Sequence, residues 1–156
     1  MSARTFRFEP LLNWAEQREE QQMLVLASVL MEEQQALDAL EALVGERETE
    51  LARMAAAGSV DPEQRQIGEV YLLRLAERID AQRGVLEEVR GRVDEARGAL
   101  IELEQEKQSL ERLRENDEQQ ALEKQNRREA SVVDDLNMTR HVRRSLGDAS
   151  GSNGVV

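Results

Sequence analysis

Apolar residues recur at steps of three and four in two long stretches of the chain, and a short break at Gly58 separates them. This spacing forms one apolar stripe along a helix and is typical of a helix that packs lengthwise on another helix. The first stripe comprises Leu12, Met23, Leu26, Leu30, Leu37, Leu40, Val44, Leu51 and Met54. The second comprises Leu72, Leu75, Ile79, Leu86, Val89, Val93, Ala96, Leu100, Leu103 and Leu110. The pattern therefore predicts two long helices joined by a turn.

Residues at the edges of the stripes indicate where the helices begin and end. Pro10 fits the first turn of a helix, where the missing N–H of proline needs no partner. Gly58 suits the left-handed backbone conformation that ends a helix. Asp61 suits the N-cap of the next helix, and Pro62 suits its first position. A helix stop followed so closely by a helix start is a hairpin signal.

These boundaries predict an all-α fold, a long antiparallel two-helix coiled-coil hairpin that forms a single domain over residues 5–146. We expect helices over 10–57 and 62–144 on either side of a turn over 58–61. The second helix then outlasts the first and leaves a C-terminal helical overhang. Residues 147–156 are rich in glycine and serine, so we expect a disordered tail.

The position of the turn also predicts the register of the hairpin. With the turn near residue 59 or 60, facing residues have numbers that add up to about 119. This register pairs Leu26 with Val93, Leu40 with Ile79 and Val44 with Leu75, pairs Met23 with Ala96 and Leu30 with Val89, and places Glu19 opposite Leu100. No layer then contains two facing polar residues. A slip of one heptad has the same property, but the helix stops favour the first register.

Composition and charge narrow the functional classes. The net charge of −11 disfavours nucleic acid as the main partner, because phosphate binding needs a basic surface. The chain has no cysteine, which excludes disulfides and thiolate metal sites. We see no signal peptide at the N-terminus. The longest apolar run, 23–27, is far too short to span a bilayer.

No residue constellation in the sequence points to catalysis or to a cofactor. His141 is the single histidine and has Arg140 and Arg143 nearby, so it cannot build a histidine metal site. The many acidic residues lie at helical spacing, without the pocket that would separate the pKa values of a catalytic carboxylate pair. Phosphate-binding glycine loops are absent from the sequence. We therefore expect a binding protein that is not an enzyme and needs no cofactor.

Several apolar residues are not needed by the predicted seam and are candidates for partner contacts. They are Leu24, Val25, Met31, Tyr71, Leu73 and Ile101. A separate candidate surface is the N-terminal cluster of Phe6, Phe8, Leu11, Leu12 and Trp14, whose alternative role is to staple the start of the first helix against the second. A second feature is an Arg-Gly pair repeated every seven residues, at 83–84, 90–91 and 97–98. The glycines fall on the outer face of the second helix. They indicate either a locally soft, solvated stretch or a smooth strip on which another backbone lies.

The N-terminal run Phe6-Arg7-Phe8-Glu9-Pro10-Leu11-Leu12 and the charged segments 110–115, 123–129 and 134–136 resemble the FliJ family of flagellar export proteins. The resemblance implies a coiled-coil stalk that binds the centre of the hexameric flagellar export ATPase and promotes its assembly and activity. It also implies contacts with the cytoplasmic domain of the export gate and with export chaperones. The location implied is cytoplasmic and peripheral at the inner-membrane export apparatus, reached through these partners.

The resemblance also suggests residues for two of these contacts. An aromatic residue followed four positions later by leucine is associated with gate contact in the family. Tyr71 and Leu75 match that spacing, and Arg78 lies one turn further. For the ATPase we expect the open end of the hairpin to be used, through Phe6, Phe8, Leu11, Leu12, Trp14, Leu113, Arg127, Arg128 and Leu136.

Two other interpretations remain open at this point. One is the equivalent stalk of a virulence type III secretion system. The other is a generic dimeric coiled-coil scaffold, in which helices pair between molecules. A hairpin stalk alone should be a monomer, so its mass in solution separates it from the dimeric scaffold.

Overall fold

Two α-helices make up nearly all of the part of the chain that the computed structural model describes, residues 5–58 and 61–151. Helix α1 spans Glu9–Ala56 and helix α2 spans Pro62–Ser150, with no strand among the described residues. The two helices pack against each other within one chain. The predicted all-α helical hairpin is therefore confirmed.

The ends of the helices that face the turn follow from local backbone chemistry. Gly58 has a φ of +51°, the left-handed conformation that a helix end needs and that glycine adopts without a Cβ clash. Asp61 starts α2, because its side chain accepts a hydrogen bond from the Glu63 N–H at 3.5 Å and its carbonyl accepts one from the Arg65 N–H at 3.1 Å. These bonds satisfy amide groups that have no partner inside the helix.

The C-terminal end of α2 lies further along the chain than the sequence suggested. The helix was expected to end at 144 with disorder from 147, but it continues to Ser150. Gly147 costs only about 1 kcal/mol relative to alanine inside a helix, so it does not by itself end one. The hydroxyl of Ser150 donates to the Gly147 carbonyl at 3.1 Å. The remainder of the expected tail, 152–156, lies outside the described residues.

The chain divides into two compact units. One unit is Leu12–Lys107, which contains most of α1 and the first half of α2. We call it the hairpin unit. The other unit, which we call the terminal unit, comprises the described residues 5–11 and 108–151.

The core of the hairpin unit includes two apolar clusters between α1 and α2. Val29, Val89 and Val93 form one cluster, with Leu26 packed against it. The other comprises Leu43, Leu75 and Ile79, flanked by Leu40 and Val44. The predicted pairs Leu26–Val93, Leu40–Ile79 and Val44–Leu75 each fall within one cluster. The structure thus has the register set by the turn, not the register slipped by a heptad.

The predicted seam is correct on α2 but displaced by one residue along much of α1. Met23, Leu30 and Leu51 were expected in the seam, yet they are 45%, 36% and 49% exposed. The α1 positions that are buried are Leu12, Ala15, Glu19, Val29, Ala36 and Leu43. The pairs Met23–Ala96 and Leu30–Val89 are therefore wrong, because Gln22 and Val29 take those places beside α2.

Polar residues in the seam explain this displacement. The side-chain amide of Gln22 donates to the Ala96 carbonyl at 3.1 Å, and that of Gln82 donates to the Ala36 carbonyl at 3.1 Å. Glu19 is buried and lies with its carboxylate 3.0 Å from the Lys107 ammonium. In the register described above Glu19 faces the position of Leu100, so its ion pair with Lys107 reaches along the seam to a residue one heptad further on α2. A buried polar group is tolerated where it finds such a partner.

In the terminal unit, the segment before α1 lies beside the second half of α2. The Glu9 carboxylate is 3.8 Å from the Arg114 guanidinium, and the side chains of Arg114, Asp117 and Ala121 are half-buried. From Leu122 to Gly151 every side chain is exposed. This last segment of α2 therefore has no buried face.

Candidate partner-binding surfaces

The first candidate surface lies on the opening turns of α2, in the hairpin unit. Helical spacing places residues three, four and seven apart on one side of a helix. Six residues with this spacing line an open depression of about 610 Å³: Glu63, Gln66, Ile67, Val70, Tyr71 and Arg74. We call it the Tyr71 surface. Its centre is apolar and exposed, since Ile67 is 69% and Tyr71 40% exposed.

Tyr71 itself is held in place by α1. Its hydroxyl donates a hydrogen bond to the Glu46 carboxylate at 3.2 Å. The pKa of Tyr71 is raised above its ordinary value, first because neighbouring atoms remove water from the phenolate and then because Glu46 is negatively charged. The phenol therefore stays protonated at neutral pH, and part of the side chain remains exposed beside the depression.

The other two residues expected beside Tyr71 differ in their surroundings. Leu75 has no exposed surface and packs in the core with Leu43 and Ile79. Its side chain is therefore unavailable to a partner, as its seam position implies. Arg78 is exposed and lines a shallow groove with Glu46 and Val85. Tyr71 and Arg78 can act in recognition, whereas Leu75 supports the helix beneath them.

Sequence reasoning missed three residues of the Tyr71 surface, namely Ile67, Val70 and Arg74. Their signal was present in the sequence, because Ile67, Val70, Tyr71 and Arg74 follow one another at i, i+3, i+4 and i+7. That spacing is the same as the spacing of residues in a helix–helix seam. It was overlooked because the parallel stripe through Leu72, Leu75 and Ile79 already accounted for the packing of α2.

The second candidate surface lies in the terminal unit. Phe6 and Phe8 meet edge to face with ring centres 5.7 Å apart, and the Arg7 guanidinium lies 5.5 Å from the centre of the Phe8 ring. Beside them is an open depression of about 920 Å³. Its lining is Thr5, Phe6, Glu9, Arg114, Asp117, Glu118, Ala121, Leu122, Lys124, Gln125 and Arg128. We call it the Phe6 surface.

The nine residues expected at the ATPase contact do not all join this surface. Phe6 and Arg128 line it. Phe8, Leu11, Leu113, Arg127 and Leu136 are exposed residues of the same unit. Leu12 belongs to the hairpin unit and is buried, so it serves the core. Trp14, also in the hairpin unit, is exposed and lies under the Arg18 guanidinium at 4.5 Å.

The two candidate surfaces share a composition. Each combines exposed apolar or aromatic groups with arginines, the composition that anchors protein partners. Across residues 5–58 and 61–151, no group of His, Asp and Glu side chains could hold a metal ion. A bilayer-spanning helix, long and apolar enough to cross, is likewise not found in the described part of the chain.

Comparison with known proteins assigns the chain to a family. The family model described as "Flagellar FliJ protein" matches residues 4–146, which is nearly the whole chain. Neither a curated protein nor a solved structure matches this chain. The resemblance seen in the N-terminal and C-terminal segments is thus confirmed over both helices. The chain belongs to the FliJ family and is a component of the flagellar export apparatus.

Proposed function

We propose that this chain is a non-enzymatic stalk of the flagellar type III export apparatus. It binds the centre of the hexameric export ATPase, promotes the assembly and activity of that ring, and contacts the export gate and export chaperones. It works in the cytoplasm, held at the inner membrane by these partners. The observation that supports this most directly is the family match across both helices of the hairpin. The flagellar description of the family favours this role over a virulence secretion system.

The terminal unit supports the ATPase contact. Phe8 is exposed and packs edge to face on the half-buried Phe6, which lines the same depression as Arg128. The neighbouring Arg127 is exposed on α2. Aromatic anchors bounded by arginine are frequent among residues that dominate binding energy. We assign the ATPase contact to this surface, with Leu113 and Leu136 as further exposed apolar groups of α2.

The Tyr71 surface supports the gate contact, with a changed set of residues. Because Leu75 is buried, the apolar groups available beside Tyr71 are Ile67 and Val70. Arg74 and Arg78 supply the charge. The gate contact therefore uses the exposed face at i, i+3, i+4 and i+7 from Ile67, which is how a helix face meets a partner groove.

ATP turnover by the purified hexameric export ATPase tests the proposal. The full chain should stimulate turnover, and Arg127→Glu/Arg128→Glu should reduce the stimulation at least about fivefold, since reversing two rim charges removes charge-assisted contacts. Arg143→Glu/Arg144→Glu is the matched control, because it reverses an adjacent exposed pair on the same helix outside the Phe6 surface. Equal stimulation by both variants would refute the assigned contact, and no stimulation by the unaltered chain would refute the stalk role.

A further inference from the structure

An exposed apolar strip runs along one flank of α1, inside the hairpin unit. It comprises Met23, Leu24, Ala27, Leu30 and Met31, and we call it the α1 flank. The five positions fall within about 120° of the helix circumference, at 100° per residue. Leu24 and Met31 are 71% and 66% exposed. Over the nine residues 23–31 every position of this arc is apolar, and Glu20 and Gln34 are the next positions on it in either direction. A continuous strip of this kind differs from a surface with single scattered apolar residues.

The pairing of α1 with α2 does not use this flank. The seam beside it is formed by Gln22, Leu26 and Val29, which contact α2 through Ala96, Val89 and Val93. The flank shares no residue with the Tyr71 surface, and none of its residues is assigned to the gate or the ATPase. Its exposed methionines and leucines therefore have no role in the fold or in the proposed contacts.

Two arginines of α2 border the flank. The Arg90 guanidinium lies 3.3 Å from the Glu33 carboxylate, less than one turn beyond Leu30 on α1. Arg97 follows Ala96, whose carbonyl accepts the hydrogen bond from Gln22, so Arg97 lies alongside Met23. Among the residues that the structure describes, Arg97 has no ion-pair partner. A cation available for pairing thus lies at the edge of an apolar strip.

We propose that the α1 flank is a docking site for an amphipathic helix of a partner protein, with acidic residues along one edge of that helix. The straight, ridge-like strip matches the apolar stripe of a helix, whose side chains at i, i+3, i+4 and i+7 would pack between Met23, Leu24, Leu30 and Met31. Acidic groups on the edge of that helix nearest α2 pair with Arg97, beside the existing Arg90–Glu33 ion pair.

A second copy of this chain fits the flank less well. A twofold axis parallel to the paired α1 helices would place the far edge of the other α1 over the arginines, and one perpendicular to them would bring the arginine edges of the two copies together. The far edge consists of Gln21, Ser28 and Gln35, none of which is charged. Arg97 would then lose water at the rim of the interface without gaining an ion-pair partner, which is unfavourable. Charge complementarity therefore selects a different, acidic partner helix.

The experiment uses the full chain and a labelled synthetic helix of about 21 residues, with leucine at the a and d positions and glutamate along one edge. A second peptide has lysine in place of glutamate. Fluorescence anisotropy measures both affinities. The acidic peptide should bind more tightly than the basic one, and Leu24→Ser/Met31→Ser should weaken its binding at least about tenfold, because two exposed apolar anchors are lost. Arg97→Glu should reverse the preference between the two peptides.

Val25→Ser is the matched control, because Val25 is also an exposed apolar residue of the same turn but lies on the opposite side of the seam. It should leave both affinities unchanged. All four positions are exposed, and circular dichroism checks that the helices persist. Equal affinity for the two peptides, no binding, or equal weakening by Val25→Ser overturns the proposal. So does a dimer in light scattering that Leu24→Ser/Met31→Ser dissociates, because a second copy would then occupy the flank.

Discussion

At the scale of single residues, the environment of Tyr71 links the hairpin core to a recognition surface. Glu46 on α1 accepts its hydroxyl hydrogen at 3.2 Å, while the ring borders the open depression on α2. The contact fixes the ring orientation before any partner arrives. Fixing an aromatic anchor in advance reduces the entropy lost on binding.

The pKa of Tyr71 gives a direct test of this environment. It is raised from 10.0 by desolvation and by Glu46, so the protonated phenol contributes stability below pH 10 that is lost as pH rises through the folded-state pKa. Because Tyr71 is the single tyrosine, absorbance near 295 nm reports its titration alone. We expect a midpoint above 10, lowered part of the way by Glu46→Gln. A midpoint at 10 that Glu46→Gln leaves unchanged would contradict the contact.

At the scale of the helices, alanine substitutions at the repeated glycines of α2 test whether these positions lie on the outer face of the hairpin. A Cβ at Gly84, Gly91 or Gly98 would meet nothing within 4 Å. Each change to alanine should therefore raise the free energy of unfolding by about 1 kcal/mol, since alanine favours the helix and has open space. Urea denaturation of the triple variant measures the combined gain, and no gain would contradict the exposed position of the strip.

Gly68 is the internal control for that series. A Cβ there would lie 3.1 Å from a Glu50 carboxylate oxygen and 3.2 Å from the Met54 sulfur. Both side chains would have to shift, so the crowding offsets the helix preference of alanine. We expect Gly68→Ala to stabilise the hairpin by clearly less than a change at Gly91. An equal gain would show that the Glu50 and Met54 side chains move freely.

The helices also show which parts of the fold were predictable. The seam of α2 could be read from apolar residues because only Gln82 and Lys107 interrupt it with polar groups. On α1 the seam includes Glu19, Gln22 and Glu33, and Met23 and Leu30 beside them are apolar. A search for the most apolar stripe on α1 therefore selects the one through Met23 and Leu30, which lies one residue beside the actual seam. The hydrogen bond from Gln22 to Ala96 is a tertiary contact that no pattern within α1 reveals.

The lining of the two candidate surfaces was only partly predictable for the same reason. Phe6, Arg128 and Tyr71 were expected there because they are aromatic or lie in segments that resemble the family. Ile67 and Val70 were missed, and Leu75 was included although it lies in the core. Single positions of a two-sided helix cannot be sorted into core and surface until the partner helix is placed.

At the scale of the whole molecule, net charge and local charge have different roles. The chain has a net charge of −11, whereas the assigned ATPase contact includes the positive pair Arg127 and Arg128. Long-range attraction depends on the net charge and governs how fast a basic partner is reached. Short-range pairing depends on the two arginines and governs how long the complex lasts. These two roles predict separate kinetic effects.

Association and dissociation rates with the export ATPase separate the role of the net charge from that of the two arginines. Raising ionic strength from about 0.05 to 0.5 M should slow association roughly tenfold, because salt screens charges beyond a few ångströms, and should change dissociation less. Arg127→Glu/Arg128→Glu makes the net charge −15, since each change removes one positive charge and adds one negative charge to the chain's −11. That variant should therefore associate at least as fast as the unaltered chain but dissociate faster. Surface plasmon resonance at several salt concentrations measures both rates. Slower association of the variant at low salt would show that the arginines, rather than the acidic body of the chain, attract the partner.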